Sequence, residues 1–233
     1  MSLLRRSLYH NDDWQSWHAP FDPSLEQVYR FHASLPDYRP TPLVRLDHLA
    51  NEIGVRAIYL KDESARLDLP SFKILGASWG TFRAIVARLK LPLDSSLDAV
   101  KQALEESQSD ISLHAATDGN HGRAVARVGR WLGLPVEIHV PSGMHETTIQ
   151  LIESESAKVT RSSGNYDDAV LEAQASSRQQ DGILVQDFAF GDYQEIPQVC
   201  VDMFRNGVWR ILSPNANIAI VDRRWLQYNA QRD

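Results

Sequence analysis

Apolar and polar residues along the middle of the chain follow two alternating patterns. Short runs rich in strand-forming residues recur between longer stretches whose apolar positions have a helical spacing. The predicted strands are 55–61, 111–117, 136–140, 158–161 and 183–188, and the predicted helices are 74–89, 121–132, 146–154 and 167–180. Because strands alternate with helices, we predict an α/β fold with a parallel sheet and right-handed crossovers.

The two ends of the chain lack this alternation. Residues 1–42 are interrupted by several prolines, which predicts an irregular lead-in with at most one short helix. Residues 199–233 contain one short apolar run, 217–221, that is compatible with a strand. We therefore expect the regular structure to lie between these two segments.

Two glycines stand just beyond predicted helices. Gly133 follows the helix 121–132, and Gly182 follows the helix 167–180. Glycine adopts a positive φ at little cost, so we predict that both residues end their helices in the left-handed conformation.

The composition is that of an ordinary globular protein. Hydrophobic residues make up 43% and charged residues 23% of the 233 positions, and the formal net charge is −6. An acidic chain has no global field that attracts a phosphate backbone, so we expect no nucleic-acid partner. The single cysteine, Cys200, excludes an internal disulfide framework and indicates a reducing compartment.

The sequence contains no segment typical of targeting or of membrane insertion. Residues 1–14 lack a sustained apolar run, and no run approaches the roughly eighteen apolar residues of a membrane span. We therefore predict a cytoplasmic protein without a membrane partner.

Lys73 is the first candidate for a chemical role. It follows Ser71 and Phe72 at the start of the predicted helix 74–89, among apolar neighbours. Loss of hydration and the positive end of the helix dipole both favour the uncharged amine, which can act as a nucleophile or as a proton shuttle. The competing interpretation is a solvated lysine in the first turn of a helix, which is the commoner case for an isolated lysine.

The segment 117–122, with the sequence TDGNHG, is the second candidate because it joins a predicted strand to a predicted helix. In a parallel sheet this junction lies at the carboxyl edge, where ligands bind. A binding loop and an ordinary turn capped by Asp118 or Asn120 are equally good interpretations of the spacing. Asp187, in the strand 183–188, falls at the same edge as an acid–base group or as a turn former.

Four histidines fall within the α/β segment, namely His114, His121, His139 and His145. His114 and His139 lie inside predicted strands and have no carboxylate or second histidine at the spacing typical of metal ligands. We therefore predict no metal site.

The sequence contains no GxGxxG, GxxxxGK(S/T) or HExxH motif, so the commonest signatures of dinucleotide, phosphate and zinc chemistry are absent. Residues 76–80, with the sequence GASWG, match GxSxG, whose serine is a nucleophile when it occupies a sharp turn between a strand and a helix. Here the serine falls within the predicted helix 74–89. We interpret the match as chance, with two glycines on one helix face that allow close packing.

Five segments, taken in order, resemble the tryptophan-synthase-β-like group of pyridoxal-phosphate enzymes, also called fold-type II. They are YRPTPL (38–43), LKDE (60–63), SFKILGA (71–77), TDGNHG (117–122) and GNYD (164–167). Within this group, the aspartate of TDGNHG together with VQDFAF (185–190) and DYQEIP (192–197) most resembles the diaminopropionate ammonia-lyases. The related serine and threonine dehydratases usually place a serine near the position of that aspartate.

The resemblance implies roles for five residues. Lys73 would bind pyridoxal phosphate covalently, with Phe72 beside it, and Asn120 would hydrogen-bond the hydroxyl group of the cofactor ring. Lys73 and Asp118 would serve as bases on opposite faces of the substrate Cα, which suits a family that accepts both stereoisomers of 2,3-diaminopropionate. Asp187 matches an active-site aspartate of the family. The implied reaction removes the β-amino group of this small amino-acid substrate and yields pyruvate and ammonia.

The resemblance also implies two open parallel-sheet domains with helices on both faces. Residues 1–78 and 187–198 would belong to the larger, cofactor-binding domain, residues 79–186 to the smaller domain, and residues 199–233 to a divergent tail. Family members are longer, and their second half supplies a glycine-rich loop for the cofactor phosphate. We therefore expect the larger domain to be incomplete. Family members are commonly homodimers, so a second copy of the chain is an expected partner.

Four functional hypotheses remain open from the sequence. The chain is an ammonia-lyase that acts on diaminopropionate, a truncated and catalytically incompetent fragment of such an enzyme, or a lyase similar to the serine and threonine dehydratases. The fourth hypothesis, a generic nucleotide-binding module, rests on the predicted sheet topology alone.

Overall fold

A computed structural model of the protein describes residues 24–54, 57–200 and 218–219. Its helices are α1 (Ser24–Ser34), α2 (Asp47–Ile53), α3 (Lys73–Leu89), α4 (Leu97–Glu106), α5 (Asn120–Leu132), α6 (Glu146–Glu153) and α7 (Tyr166–Gln179). Its strands are β1 (Leu43–Arg45), β2 (Tyr59–Lys61), β3 (Leu113–Ala116), β4 (Val136–Val140), β5 (Lys158–Arg161), β6 (Ile183–Leu184) and β7 (Ile218–Ala219). The fold class is α/β, as the alternating pattern predicted.

Four parallel strands form the central sheet, in the order β5-β4-β3-β6. The register pairs Leu113 with both Val136 and Ile183, and Glu137 with Lys158. A helix follows each of β3, β4 and β5 in the chain before the next strand begins. This arrangement is the layered α/β unit that the sequence predicted, and it brings the carboxyl ends of the strands to one edge.

Helices α5 and α7 cover opposite faces of the central sheet. On one face, α5 packs so closely on β4 that a Cβ added to Gly129 would collide with the side chain of Val136. On the other face, the hydroxyl of Ser176 in α7 donates to Glu137 Oε2 at 3.1 Å. Because successive side chains of a strand point to opposite faces, β4 contributes an apolar face to α5 and a more polar face to α7.

The close approach at Gly129 leads to a stability prediction. We expect Gly129→Ala to lower the free energy of unfolding by about 1–3 kcal/mol, because the new Cβ collides with Val136 and this overpacking exceeds the gain in helix propensity. Gly143→Ala is the matched control, since a Cβ at Gly143 meets nothing within 4 Å. Urea unfolding of both variants tests the prediction, which fails if Gly129→Ala is as stable as the control.

A second, smaller sheet has the order β1-β2-β7. β1 is antiparallel to β2, and the sequence did not predict this edge strand. β7 is parallel to β2 and lies within the predicted strand 217–221. Except for β7, which lies in the tail 199–233, the two sheets fall in the segments that the resemblance assigns to different domains, since β1 and β2 lie within 1–78 and β3 to β6 within 79–186. The domain boundaries themselves stay a prediction.

The core lies between α3 and the helices around it. Ile74 and Ile85 of α3 are fully buried, and Phe82 is 2% exposed. The ring centroid of Phe31 in α1 lies 4.5 Å from that of Phe82. α3 is therefore an internal helix with apolar residues on nearly every face, as its sequence predicted.

The GASWG segment lies inside α3, which confirms that it is no turn between a strand and a helix. The hydroxyl of Ser78 is buried and donates to the carbonyl of Leu75 at 3.1 Å. A Cβ on Gly80 would stand 2.8 Å from Ile196, so this glycine does allow close packing.

Several predicted boundaries differ from the structure. The strands 136–140 and 158–161 are found with those bounds, but the predicted strand 183–188 is reduced to Ile183–Leu184. Of the predicted strand 55–61 only Tyr59–Lys61 is observed, and residues 55–56 lie outside the described residues. Helices α2 and α4 were not predicted.

The two ends of the chain are described only in part. Helix α1 is the single helix of the described lead-in, which agrees with the sequence prediction for that segment. Residues 1–23 of the lead-in, and 201–217 and 220–233 of the tail, lie outside the described residues.

One of the two glycine predictions is correct. Gly133 has φ 69° and ends α5, whereas Gly182 is not among the residues with positive φ. Asp181 takes that conformation instead, with φ 50°. A Cβ on Gly182 would stand 2.6 Å from both Ser112 and His114, so glycine serves close packing at this position.

Within the described ranges, every helix is too short or too polar to cross a bilayer. The expected cytoplasmic location stays a prediction.

Candidate active site

Four of the five predicted site residues line one cavity of about 510 Å³. Lys73 comes from the start of α3, Asp118 and Asn120 from the junction of β3 and α5, and Asp187 from the chain just after β6. The cavity thus lies at the carboxyl edge of the central sheet, where sheet topology predicted it. Phe72, the fifth residue, places its ring centroid 5.5 Å from Lys73 Nζ.

Lys73 and Asp187 form an ion pair across the cavity, although 114 positions separate them in the sequence. The Lys73 ammonium donates to Asp187 Oδ2. Burial by itself favours the neutral acid, but the positive charges of His121, when its ring is protonated, and of the Lys73 ammonium outweigh it and hold the pKa of Asp187 below its ordinary value. Asp187 is therefore a carboxylate at neutral pH, and it orients the amine of Lys73.

His121 is a site residue that sequence reasoning did not single out. Its Nε2 lies 2.8 Å from the carbonyl of Val185, and because a carbonyl only accepts, Nε2 carries the ring proton. Its Nδ1 lies 3.7 Å from Asp187 Oδ2 and has no hydrogen-bond partner. Burial lowers the pKa of His121, so the imidazole is neutral at pH 7. The only sequence signal was its place in the TDGNHG loop.

The start of α5 shows that the segment 117–122 is no ordinary capped turn. The N-cap residue is Gly119, with φ 154°, and neither Asp118 nor Asn120 caps the helix as the turn interpretation required. Thr117 Oγ1 instead accepts from the N–H groups of Gly119 and Gly122, each at 2.9 Å. Because the threonine holds the loop, the side chains of Asp118 and Asn120 line the cavity.

Tyr166 closes another side of the cavity and was also missed as an individual site residue. Its hydroxyl accepts from Gln186 Nε2 at 3.1 Å, and Gln186 Oε1 accepts from the N–H of Ala116 at 3.1 Å. Burial raises the pKa of Tyr166 to about 12, so the phenol stays protonated at neutral pH. The sequence signal for this residue was its place in the GNYD segment.

A buried carboxylate behind the cavity ties α5 to its surroundings. Glu155 is 2% exposed and accepts two hydrogen bonds from Arg127, at 2.6 and 2.7 Å. Arg123 and Arg130 approach the same carboxylate at 3.3 and 3.0 Å. Arg127 also donates to the carbonyl of Leu67 at 3.0 Å. This cluster fixes α5 against the loop that precedes Lys73.

The sheet brings together two histidines that showed no metal-ligand spacing in the sequence. His114 and His139 form one cluster with Glu137, and the expectation of no metal site stays a prediction. The partners come from neighbouring strands, and the register places Glu137 beside His114. Spacing within one segment cannot reveal ligands that a parallel sheet brings together.

Comparison with known proteins extends these observations. A family model described as "Pyridoxal-phosphate dependent enzyme" matches residues 35–198. The diaminopropionate ammonia-lyase of Salmonella typhimurium is 36% identical over 173 residues, which cover 73% of this chain and 43% of that protein. The diaminopropionate ammonia-lyase of Escherichia coli is 36% identical over 179 residues, which cover 76% of this chain and 44% of that protein.

A solved structure of a diaminopropionate ammonia lyase is also similar to this chain. The crystal structure of diaminopropionate ammonia lyase from Escherichia coli in complex with D-serine matches this chain with a TM-score of 0.73 and 30% sequence identity. The match covers 84% of this chain and 50% of that chain. The chain spans less than half the length of the two curated relatives.

Proposed function

The chain belongs to the family of pyridoxal-phosphate dependent enzymes, and from this premise we propose that it is an ammonia-lyase acting on 2,3-diaminopropionate. The resemblance to the fold-type II group, drawn from five sequence motifs, is confirmed. The observation that carries the proposal is the convergence of Lys73, Asp118 and Asp187 on one cavity. The similarity to enzymes named diaminopropionate ammonia-lyase supports the choice of substrate.

The residues of the cavity fit pyridoxal phosphate as a covalently held cofactor. A volume of about 510 Å³ is within the usual range of small-molecule sites. Lys73 would bond to the cofactor aldehyde, Asn120 would hydrogen-bond the ring hydroxyl, and Phe72 would lie beside them. When bound, the cofactor withdraws electrons from the substrate Cα.

The polar side chains would then position and move protons. Asp187 holds the amine of Lys73 through the ion pair, so Lys73 is oriented before any substrate enters. Lys73 and Asp118 reach the cavity from separate elements, which supports the proposal that they exchange protons with opposite faces of the substrate Cα. His121 lies beside this ion pair, with its Nδ1 3.7 Å from Asp187 Oδ2.

Product stoichiometry tests the proposed reaction. Removing both amino groups of diaminopropionate gives two ammonia molecules for each pyruvate, whereas a dehydratase acting on serine gives one. We expect the purified chain, supplied with pyridoxal phosphate, to release ammonia and pyruvate from diaminopropionate in the ratio of two to one. Turnover of serine or threonine without turnover of diaminopropionate would assign the chain to the dehydratase alternative.

Asp118 leads to a stereochemical prediction. We expect Asp118→Asn to lower turnover of one stereoisomer of diaminopropionate by about 10²–10⁴-fold, the usual contribution of an acid–base group, and to affect the other isomer much less. The matched control is Asp192→Asn, since the Asp192 side chain is 87% exposed. Steady-state rates with D- and L-diaminopropionate provide the measurement. Equal losses for both isomers would contradict the assigned role.

The second candidate is a chain that holds the cofactor too weakly for turnover. The coverage of less than half of the curated relatives favours this alternative. A chain extended to the length of those relatives would then gain cofactor binding and activity that the 233-residue chain lacks. If the extended chain also fails to bind pyridoxal phosphate, the missing length is not the cause.

A further inference from the structure

Three metal-ligating side chains converge on the sheet face that α7 covers, away from the candidate active site. They are His114 of β3 and Glu137 and His139 of β4, and one ligand atom from each lies within 4.8 Å of the other two. Glu137 is beside His114 in the register, and His139 follows two positions later on the same strand face. Sheet geometry therefore holds the three side chains together.

The imidazoles of this cluster are buried without sufficient partners. His114 is fully buried and His139 is 5% exposed. His114 Nδ1 and both ring nitrogens of His139 have no hydrogen-bond partner. A buried polar atom without a partner costs free energy, and such atoms are rare in folded proteins. The cluster is thus incomplete as a purely structural network.

We propose that His114, Glu137 and His139 form a site for a divalent transition-metal ion of the Zn²⁺ class. Two imidazoles and one carboxylate are a common ligand set for this ion, and water completes the tetrahedron. His139 Nε2 lies 4.0 Å from Glu137 Oε1. Ligand atoms of a tetrahedral zinc site are roughly 3.3 Å apart, so small side-chain rotations close the site.

A polar side chain lies behind each imidazole of the cluster. Ser112 Oγ lies 2.8 Å from His114 Nε2, which leaves Nδ1 of that ring for the metal. Glu172 Oε2, in α7, lies 3.7 Å from His139 Nδ1, beyond hydrogen-bond distance, so a small rotation would let it hold that nitrogen and leave Nε2 for the metal. A carboxylate or hydroxyl behind a ligating imidazole is the arrangement that fixes histidine ligands in metal sites.

Lys158 is the competitor of the metal ion for Glu137. Its ammonium donates to Glu137 Oε1 at 2.7 Å, and the Lys158 side chain is 71% exposed. Thr160, Ser176 and Gln180 also donate to this carboxylate, at 2.7, 3.1 and 3.2 Å. Because the Lys158 side chain is exposed, its ammonium can move into solvent when the ion binds.

Metal binding to the purified chain tests the proposal. Equilibrium dialysis should give one Zn²⁺ per chain, Co²⁺ should give the visible absorption of a tetrahedral site, and Mg²⁺ should not compete. We expect His139→Gln to weaken Zn²⁺ binding at least about tenfold. Lys158→Gln should strengthen binding, because it removes the competing cation. His48→Gln is the control, since the His48 side chain is 98% exposed, and it should not change binding.

Three results would overturn the proposed metal site. The proposal fails if the chain binds no Zn²⁺ or Co²⁺ at millimolar concentration, if Mg²⁺ binds equally well, or if His139→Gln and His48→Gln bind the metal alike. Should His139→Gln not fold, as circular dichroism would reveal, Lys158→Gln decides the question. Affinity that is unchanged or weaker in Lys158→Gln places the metal elsewhere.

Discussion

Lys73→Ala is expected to abolish the visible absorption band that pyridoxal phosphate acquires on covalent binding, together with all ammonia release from diaminopropionate. Among the cavity-lining residues that the structure describes, Lys73 is the one lysine. Its amine is held by Asp187 at the carboxyl edge of the sheet, so no other amine can take its place in this geometry. The loss should therefore be complete.

The same substitution should leave the fold intact. The Lys73 side chain is 37% exposed, and its ion pair with Asp187 is partly solvated. Partly exposed ion pairs contribute little, so we expect the free energy of unfolding to change by no more than about 1 kcal/mol. Loss of the cofactor band therefore reports on chemistry and not on unfolding.

A titration with pyridoxal phosphate, followed by absorption spectroscopy, measures the effect. Lys101→Ala is the matched control, because Lys101 is an exposed lysine on α4 and should leave the titration unchanged. A saturable band that persists in Lys73→Ala would remove Lys73 from the proposed chemistry. A band that is absent from the unaltered chain as well would favour the candidate with weak cofactor binding.

The sequence predicted elements well where burial produces a strong periodic pattern. Most residues of α3 and β4 are buried, and their apolar runs were sufficient to place them. α4 was missed because its buried residues are only Val100 and Leu104, although Ser96 caps the helix by accepting from the N–H of Ala99 at 3.1 Å. α2 begins without a side-chain cap. Weakly buried helices leave a weaker signal in the sequence.

The strand after α7 shows how tertiary contacts override local preference. The apolar run 183–188 predicts a longer strand, but the pairing with β3 ends at Leu184. The N–H of Gln186 donates to the hydroxyl of Tyr193 at 2.9 Å instead of to a neighbouring strand. The chain then turns and presents Asp187 to the cavity. The sequence of residues 183–188 alone does not reveal such a side-chain partner.

The sequence predicted those residues of the candidate site that lie at the ends of parallel strands. The rule for parallel sheets placed Asp118 and Asp187 at one edge, and the motifs added Lys73. The contact of His121 with Asp187 depends on the final backbone path, so spacing did not reveal it. The histidine–glutamate cluster depends in the same way on strand register, which local sequence does not encode.

Glu155→Gln is expected to lower the free energy of unfolding by about 3–5 kcal/mol, the usual cost of breaking a buried ion pair. Glu155 is 2% exposed, and Arg127, its main partner, is also buried. The substitution keeps the size of the side chain but leaves the guanidinium of Arg127 buried without its counter-charge. The contact of Arg127 with Leu67 would then be weakened, and with it the loop that precedes Lys73.

The pH dependence supplies an independent check of this role. Burial disfavours the charged form of Glu155, but its arginine neighbours, Arg127 first, outweigh burial and lower its pKa. A depressed folded-state pKa contributes stability above the unfolded-state pKa, about 4.3 for glutamate, and this contribution disappears as the pH falls through the folded value. The difference between the unaltered chain and Glu155→Gln should therefore be largest at neutral pH and shrink in acid.

Urea unfolding at pH 7 and at a series of lower pH values measures both expectations. Glu153→Gln is the matched control, because Glu153 is exposed on α6 two positions away and should change stability by no more than about 0.5 kcal/mol. If Glu155→Gln behaves like this control at neutral pH, the arginine cluster contributes little to holding α5. A loss that does not depend on pH would instead assign the effect of Glu155 to packing.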